Sequence, residues 1–93
     1  MMQKSECQIE IINRIRILRL ANNVSQMSLA NILDISSGLI GNIESPKFQH
    51  KYTLKQLYAI ASYFNVKLDY ILTGENKTLD SEKLIQTLIE YDG

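Results

Sequence analysis

The stretch SQMSLANILDIS at residues 25–36, continued by LIGNIE at residues 39–44, decides the fold of this chain. Apolar residues recur in it at helical spacing: Leu29, Ala30, Leu33, Ile40 and Ile43. Ser25 and Ser36 each precede such a run and can cap a helix, whereas Pro46 stops the second run. The stretch therefore predicts two short helices joined by a tight turn, with Asp34 in the turn.

The flanking sequence also predicts helices. Residues 8–22 contain neither Gly nor Pro, and their isoleucines and leucines repeat at helical spacing. Thr53, with Gln56 three residues later, forms a capping box that opens a fourth helix, and residues 66–72 form a short fifth helix closed by a glycine. A last helix over residues 82–91 presents four apolar residues on one side: Leu84, Ile85, Leu88 and Ile89.

Composition limits the class of protein. The 93 residues fit one domain, and their net charge of zero divides into a basic and an acidic half. Residues 1–58 hold seven Lys or Arg against four Asp or Glu, whereas residues 59–93 hold three against six. A basic half can bind a polyanion even though the whole chain is neutral.

The reactive side chains are too few for the common enzyme chemistries. Cys7 and His50 are single residues of their type, which leaves no cysteine or histidine pair for a metal and no Cys–His pair for nucleophilic catalysis. No phosphate-cradling glycine loop is present, and no apolar run approaches the length of a membrane span. We expect no enzyme activity, no cofactor, no metal and no membrane contact, and we expect a cytoplasmic location.

The stretch at residues 25–44 resembles the helix-turn-helix of phage repressors and Cro proteins, the XRE family. That family has Ser-Gln, then Leu-Ala, a Leu-Gly-hydrophobic-Ser turn, and Ile-x-x-Ile-Glu. Asp34 replaces the glycine of the turn, where a left-handed conformation costs an aspartate roughly 1 kcal/mol. The loop after Glu44 is two residues longer than usual, and the third helix lacks Gln, Arg and Lys.

The resemblance covers about residues 12–74 and implies an all-α, five-helix, lambda-repressor-like fold. We expect a DNA-binding domain over residues 8–74, and a linker with a C-terminal amphipathic helix over residues 75–93. The resemblance further implies that Arg19, near the end of the first helix, pairs with Glu44 at the end of the third.

The third helix would read double-stranded DNA in the major groove. Asn42 can make a bidentate contact with adenine, Ser37 can donate to a base or phosphate, and Leu39 can touch a thymine methyl group. Gln26, at the start of the second helix, is expected to meet a phosphate. The predicted DNA-binding residues are Gln26, Ser36, Ser37, Gly38, Leu39, Gly41, Asn42, Ser45, Lys47 and Lys51.

These residues predict a small transcriptional regulator of repressor type. Two alternatives stay open: an antitoxin that represses its own operon beside a toxin partner, and a helical interaction module that does not bind DNA. The apolar side of the last helix, alone or together with the surplus isoleucines and leucines of the first helix, predicts a homodimer with recognition helices about 34 Å apart. The alternative is that this helix folds back on its own domain and leaves a monomer.

Overall fold

The computed structural model describes residues 3–93, which form six α-helices and no strand. The helices are α1 (Glu6–Ala21), α2 (Gln26–Leu33), α3 (Ser37–Glu44), α4 (Leu54–Tyr63), α5 (Leu68–Thr73) and α6 (Ser81–Asp92). This confirms the all-α class, with five helices followed by a short C-terminal helix. Within residues 3–93, no helix combines the length and the apolar composition that a membrane crossing requires.

Local side-chain caps begin most of these helices. Ser25, Ser36 and Thr53 each accept a hydrogen bond from the backbone N–H three residues later, as the sequence predicts. Asp80 does the same for α6. Ser5 and Gln8 form a further capping box, so α1 begins two residues before the predicted start at residue 8.

The turn between α2 and α3 depends on a left-handed aspartate. Asp34 has φ 57° and ψ 46°, which confirms the prediction from its place in the turn. This conformation lets the N–H of Ile35 reach back to the carbonyl oxygen of Ala30 at 2.9 Å. It closes α2 and redirects the chain into α3 within three residues.

One apolar core joins all six helices. Its buried members are Ile11, Ile12, Ile15, Leu29, Ala30, Ile40, Ile43, Tyr52, Leu57, Ile60, Ala61, Ile71, Leu72 and Tyr91. Leu54, the first residue of α4, lies outside this core and is 37% exposed.

Helix α6 folds back and packs over this core. Tyr91 is fully buried, and its hydroxyl donates a hydrogen bond to the carbonyl oxygen of Tyr52 at 2.8 Å. The amide Nε2 of Gln8 donates to the carbonyl oxygen of Tyr91 at 2.7 Å. The segment after α5 is thus tied both to α1 and to the loop before α4.

The apolar side of α6 divides into two parts. Leu84 and Leu88 pack against the core, whereas Ile85 and Ile89 are 55% and 65% exposed. The four residues were predicted to lie on one side of the helix, and only part of that side reaches the body of the domain. On α1, Ile17 also stays 66% exposed, so α6 does not cover it.

Candidate nucleic-acid interface

Helix α3 packs on α2 and turns a polar face outward. Ile40 and Ile43 are buried on its inner side. Ser36, Ser37 and Gly38 are exposed at its start, and the remaining predicted contacts are half-buried along it: Leu39, Gly41 and Asn42. The structure therefore places these predicted DNA-binding residues together on one short helix.

A buried ion pair fixes the C-terminal end of α3. The Nε and Nη2 atoms of Arg19 each lie 2.9 Å from one carboxylate oxygen of Glu44. The two side chains are only 6% and 4% exposed. Nη1 of Arg19 also donates to the carbonyl oxygen of Val24 at 2.8 Å, so this arginine holds the α1–α2 turn and α3 at once.

Gln26 belongs to the same cluster. Its Nε2 donates to Oε1 of Glu44 at 3.0 Å, which links the first residue of α2 to the last residue of α3. Its Oε1 lies 3.9 Å from the position that a Cβ atom on Gly41 would occupy. Gln26 is exposed, and its second amide hydrogen is left to donate outward.

A buried lysine completes this end of the helix. Nζ of Lys4 donates to the carbonyl oxygens of Ile43 and Ser45 at 2.7 Å each, and lies 3.5 Å from that of Asn42. The carbonyl oxygen of Asn42 also accepts from the backbone N–H of Ser45 at 3.3 Å, whereas those of Ile43 and Ser45 rely on Lys4. A cation is favourable at this negative end of a helix. Burial lowers the pKa of this ammonium group.

Sequence reasoning missed Lys4 because no local spacing points to it. It lies about forty positions before the carbonyls that it contacts. The only signal in the sequence is a general one: the end of α3 offers unpaired carbonyls and no basic residue of its own in the last turn.

The loop after α3 carries the two lysines predicted to bind DNA. Oγ of Ser45 accepts from the backbone N–H of Lys47 at 3.2 Å, which sets the direction of the loop. Lys47 is exposed and Lys51 is half-buried, just before the buried ring of Tyr52. Both lysines thus follow α3 on a loop that is anchored at each end.

Tyr52 has an orphaned hydroxyl group. Among residues 3–93, it is the one buried side-chain polar atom without a hydrogen-bond partner. Burial and, to a smaller extent, the Glu44 carboxylate raise the pKa of this phenol, while Arg19 lowers it. The hydroxyl is therefore a neutral group in the core behind the ion pair.

The comparisons with known proteins agree with this geometry. A family model described as "Helix-turn-helix domain" matches residues 12–77, a range that includes α2, α3 and most of α1. The search of curated proteins and the search of solved structures returned no match. Families of this kind are typically DNA-binding and without enzymatic activity. With a matched range that covers most of its length, the chain belongs to the helix-turn-helix domain family, of the Cro/XRE type.

Proposed function

We propose that this protein binds double-stranded DNA in a sequence-specific way and acts as a small transcriptional repressor, with α3 in the major groove. The observation that carries this proposal is the way in which α3 is held by the rest of the chain. Its C-terminal end is fixed by Lys4, Arg19 and Glu44, while its outer face is left to a partner. A fixed helix with a polar outer face suits recognition of base edges.

Asn42 is the best candidate for reading a base. It is half-buried on α3, and its side-chain amide makes no hydrogen bond to another group in residues 3–93. An asparagine amide can pair with both N6 and N7 of adenine, and such a contact contributes about 1–3 kcal/mol of discrimination. Ser37 and Leu39 lie earlier on α3 and would contact neighbouring positions of the same site.

The start of α3 gives DNA room to approach. A Cβ atom at Gly38 would meet no other atom within 4 Å, so the backbone there is open to the surroundings. Lys47 and Lys51 then supply positive charge beyond the end of the helix. Charge of this kind contributes affinity for any DNA sequence and no discrimination.

Two substitutions separate these roles. Asn42→Ala should cost about 1–3 kcal/mol on a site selected from a random DNA pool and little on random DNA. Lys47→Ala should weaken binding to both DNAs and reduce the slope of log K against log salt by about one. Fluorescence anisotropy over a salt series measures both quantities.

The chain offers matched controls for both substitutions. Asn76→Ala and Lys83→Ala change the same residue types at exposed positions outside α2, α3 and the following loop, and should leave binding unchanged. Equal losses for Asn42→Ala on selected and random DNA would contradict the readout role. Wild-type protein with no salt-dependent DNA binding would contradict the function and favour the interaction-module alternative. A toxin that copurifies would favour the antitoxin.

We propose further that the protein binds DNA as a homodimer. The support is the pair Ile85 and Ile89, which stay exposed one turn apart after α6 has packed on its own domain. Burying two such side chains against a second copy would contribute several kcal/mol, at about 1.5–3 kcal/mol each.

Substitution tests the dimer better than truncation, because removing α6 would also remove Tyr91 from the core. The double variant Ile85→Gln, Ile89→Gln should run as a monomer in light scattering while the wild type runs as a dimer. A wild-type protein that is monomeric at high micromolar concentration would overturn the dimer and leave the DNA-binding proposal standing.

A further inference from the structure

Two arginines one turn apart on α1 face the same carboxylate in different ways. Arg19 is buried and pairs with both oxygens of Glu44 at 2.9 Å. Nε of Arg16 lies 3.7 Å from Oε1 of Glu44, and its side chain is 52% exposed. Arg16 is thus held near Glu44 by charge alone, at a distance beyond that of a hydrogen bond.

The cluster carries more positive than negative charge. Arg16, Arg19 and Lys4 lie around the C-terminal end of α3, where the two arginines share the carboxylate of Glu44 and Lys4 binds backbone carbonyls. The guanidinium group of Arg19 is occupied by its bidentate pair with Glu44, and the ammonium group of Lys4 by backbone carbonyl oxygens. The surplus charge that reaches solvent is therefore the guanidinium group of Arg16.

The position of Arg16 points it toward the predicted DNA-binding face. Oε1 of Glu44, which it approaches, also accepts the amide of Gln26. Arg16 and Gln26 are therefore neighbours around one oxygen atom, and Gln26 is a predicted phosphate contact beside α3. The planar guanidinium group has several N–H donors and binds phosphate in a bidentate way.

We propose that Arg16 binds a phosphate group of the DNA backbone, next to the position of Gln26. This inference rests on the proposed DNA-binding function. Arg16 would leave its contact with Glu44 on binding, and that contact contributes little to stability because it is longer than a hydrogen bond. Glu44 keeps its pair with Arg19 throughout, so α3 does not move.

The test is the salt dependence of DNA binding by the variant Arg16→Gln. It should bind both selected and random DNA about fivefold to tenfold more weakly at 0.1 M salt, and its slope of log K against log salt should fall by about one. Arg16→Lys, which keeps the charge, should retain the wild-type slope. Lys83→Gln removes one positive charge from the exposed surface of α6 and should also leave the slope unchanged.

Thermal unfolding separates a binding role from a structural one. Arg16→Gln should unfold at the wild-type temperature, because the lost contact is 3.7 Å long and Glu44 keeps its pair with Arg19. A wild-type slope in Arg16→Gln, or an equal fall in slope for Lys83→Gln, overturns this inference while the DNA-binding function stands. Absence of salt-dependent binding in the wild-type protein overturns both.

Discussion

The two ends of α3 are held in different ways. At the C-terminal end, Lys4 binds the carbonyl oxygens, and Arg19 and Gln26 bind the carboxylate of Glu44. At the N-terminal end, Ser36 caps the helix through its own hydroxyl group, and Gly38 has no neighbour within 4 Å of its Cβ position. One end is fixed by distant parts of the chain, and the other relies on local contacts.

This difference shows how an eight-residue helix with two glycines can be placed accurately. Its own propensity is weak, since each glycine costs roughly 1 kcal/mol in a helix. Tertiary contacts at one end hold it, so the other end needs no packing and stays open to a partner. Substitutions at the fixed end should therefore change stability, and substitutions at the open end should change binding.

The largest effect is expected for Glu44→Ala. The variant leaves the guanidinium group of Arg19 buried and unpaired, so the free energy of unfolding should fall by about 3–5 kcal/mol in chemical denaturation. Glu75→Ala is the control, because its pair with Lys77 is exposed and should contribute little.

A double-mutant cycle with Arg19→Met tests whether Glu44 acts through Arg19. Coupling between the two substitutions is expected, since each removes the same contact. Additive effects would mean that the pair contributes nothing as a unit.

The next largest effect is expected for Lys4→Met, which keeps the length of the side chain and removes its charge. The carbonyl oxygens of Ile43 and Ser45 lose their donor, and the free energy of unfolding should fall by about 1.5–3 kcal/mol. Lys47→Met, on the exposed loop, is the control and should unfold like the wild type. If Lys4→Met is equally stable, water replaces the ammonium group and the fixed end depends on the ion pair alone.

A smaller change of opposite sign is expected at the open end. Gly38→Ala should raise the free energy of unfolding by about 0.5–1 kcal/mol, because the new methyl group meets no atom and the helix gains propensity. The same variant should weaken DNA binding if the backbone approaches DNA there. Gly74→Ala is the contrast: with φ 77° and Arg14 2.8 Å from the Cβ position, it should destabilise the fold. Unchanged DNA binding by Gly38→Ala would move the DNA contact away from the start of α3.

The smallest effect is expected at the turn that leads into the open end. Asp34→Gly relieves the left-handed aspartate but makes the unfolded chain more flexible, so stability should rise by only about 0.5 kcal/mol. Asp34→Ala should lower it, because alanine is strained there and lacks the polar side chain. Thermal unfolding measures both, and a loss of stability in the glycine variant would show that the Asp34 carboxylate stabilises the turn.

The contacts at the N-terminal end of α3 could be predicted from the sequence, and those at its C-terminal end only in part. Ser25, Ser36 and Thr53 act within three residues, so their capping follows from local sequence. The pair of Arg19 and Glu44 came from the resemblance to phage repressors, not from spacing. The contacts of Lys4 and Arg16 could not be predicted from any local pattern, because their partners lie far along the chain.

The packing of α6 was also beyond local reasoning. Its apolar pattern predicted a helix with Leu84, Ile85, Leu88 and Ile89 on one side, and the helix is present. The pattern could not reveal that Tyr91 would enter the core while Ile85 and Ile89 stay outside. The buried hydroxyl group of Tyr91 donates to the carbonyl oxygen of Tyr52, 39 positions away, which no local pattern indicates.

The packing of α6 onto the start of the chain also has a consequence for the order in which the helices fold. The helices α2 and α3 are neighbours in the chain and can pair as soon as both leave the ribosome, since short loops close at little entropic cost. The hydrogen bond from the amide of Gln8 to Tyr91 can form only after the chain has been made 83 positions further. Contacts of such separation form late in folding. In pulse-labelled hydrogen exchange, we expect α2 and α3 to gain protection before α6. A newly made chain would therefore assemble the α2–α3 surface first and close its core last.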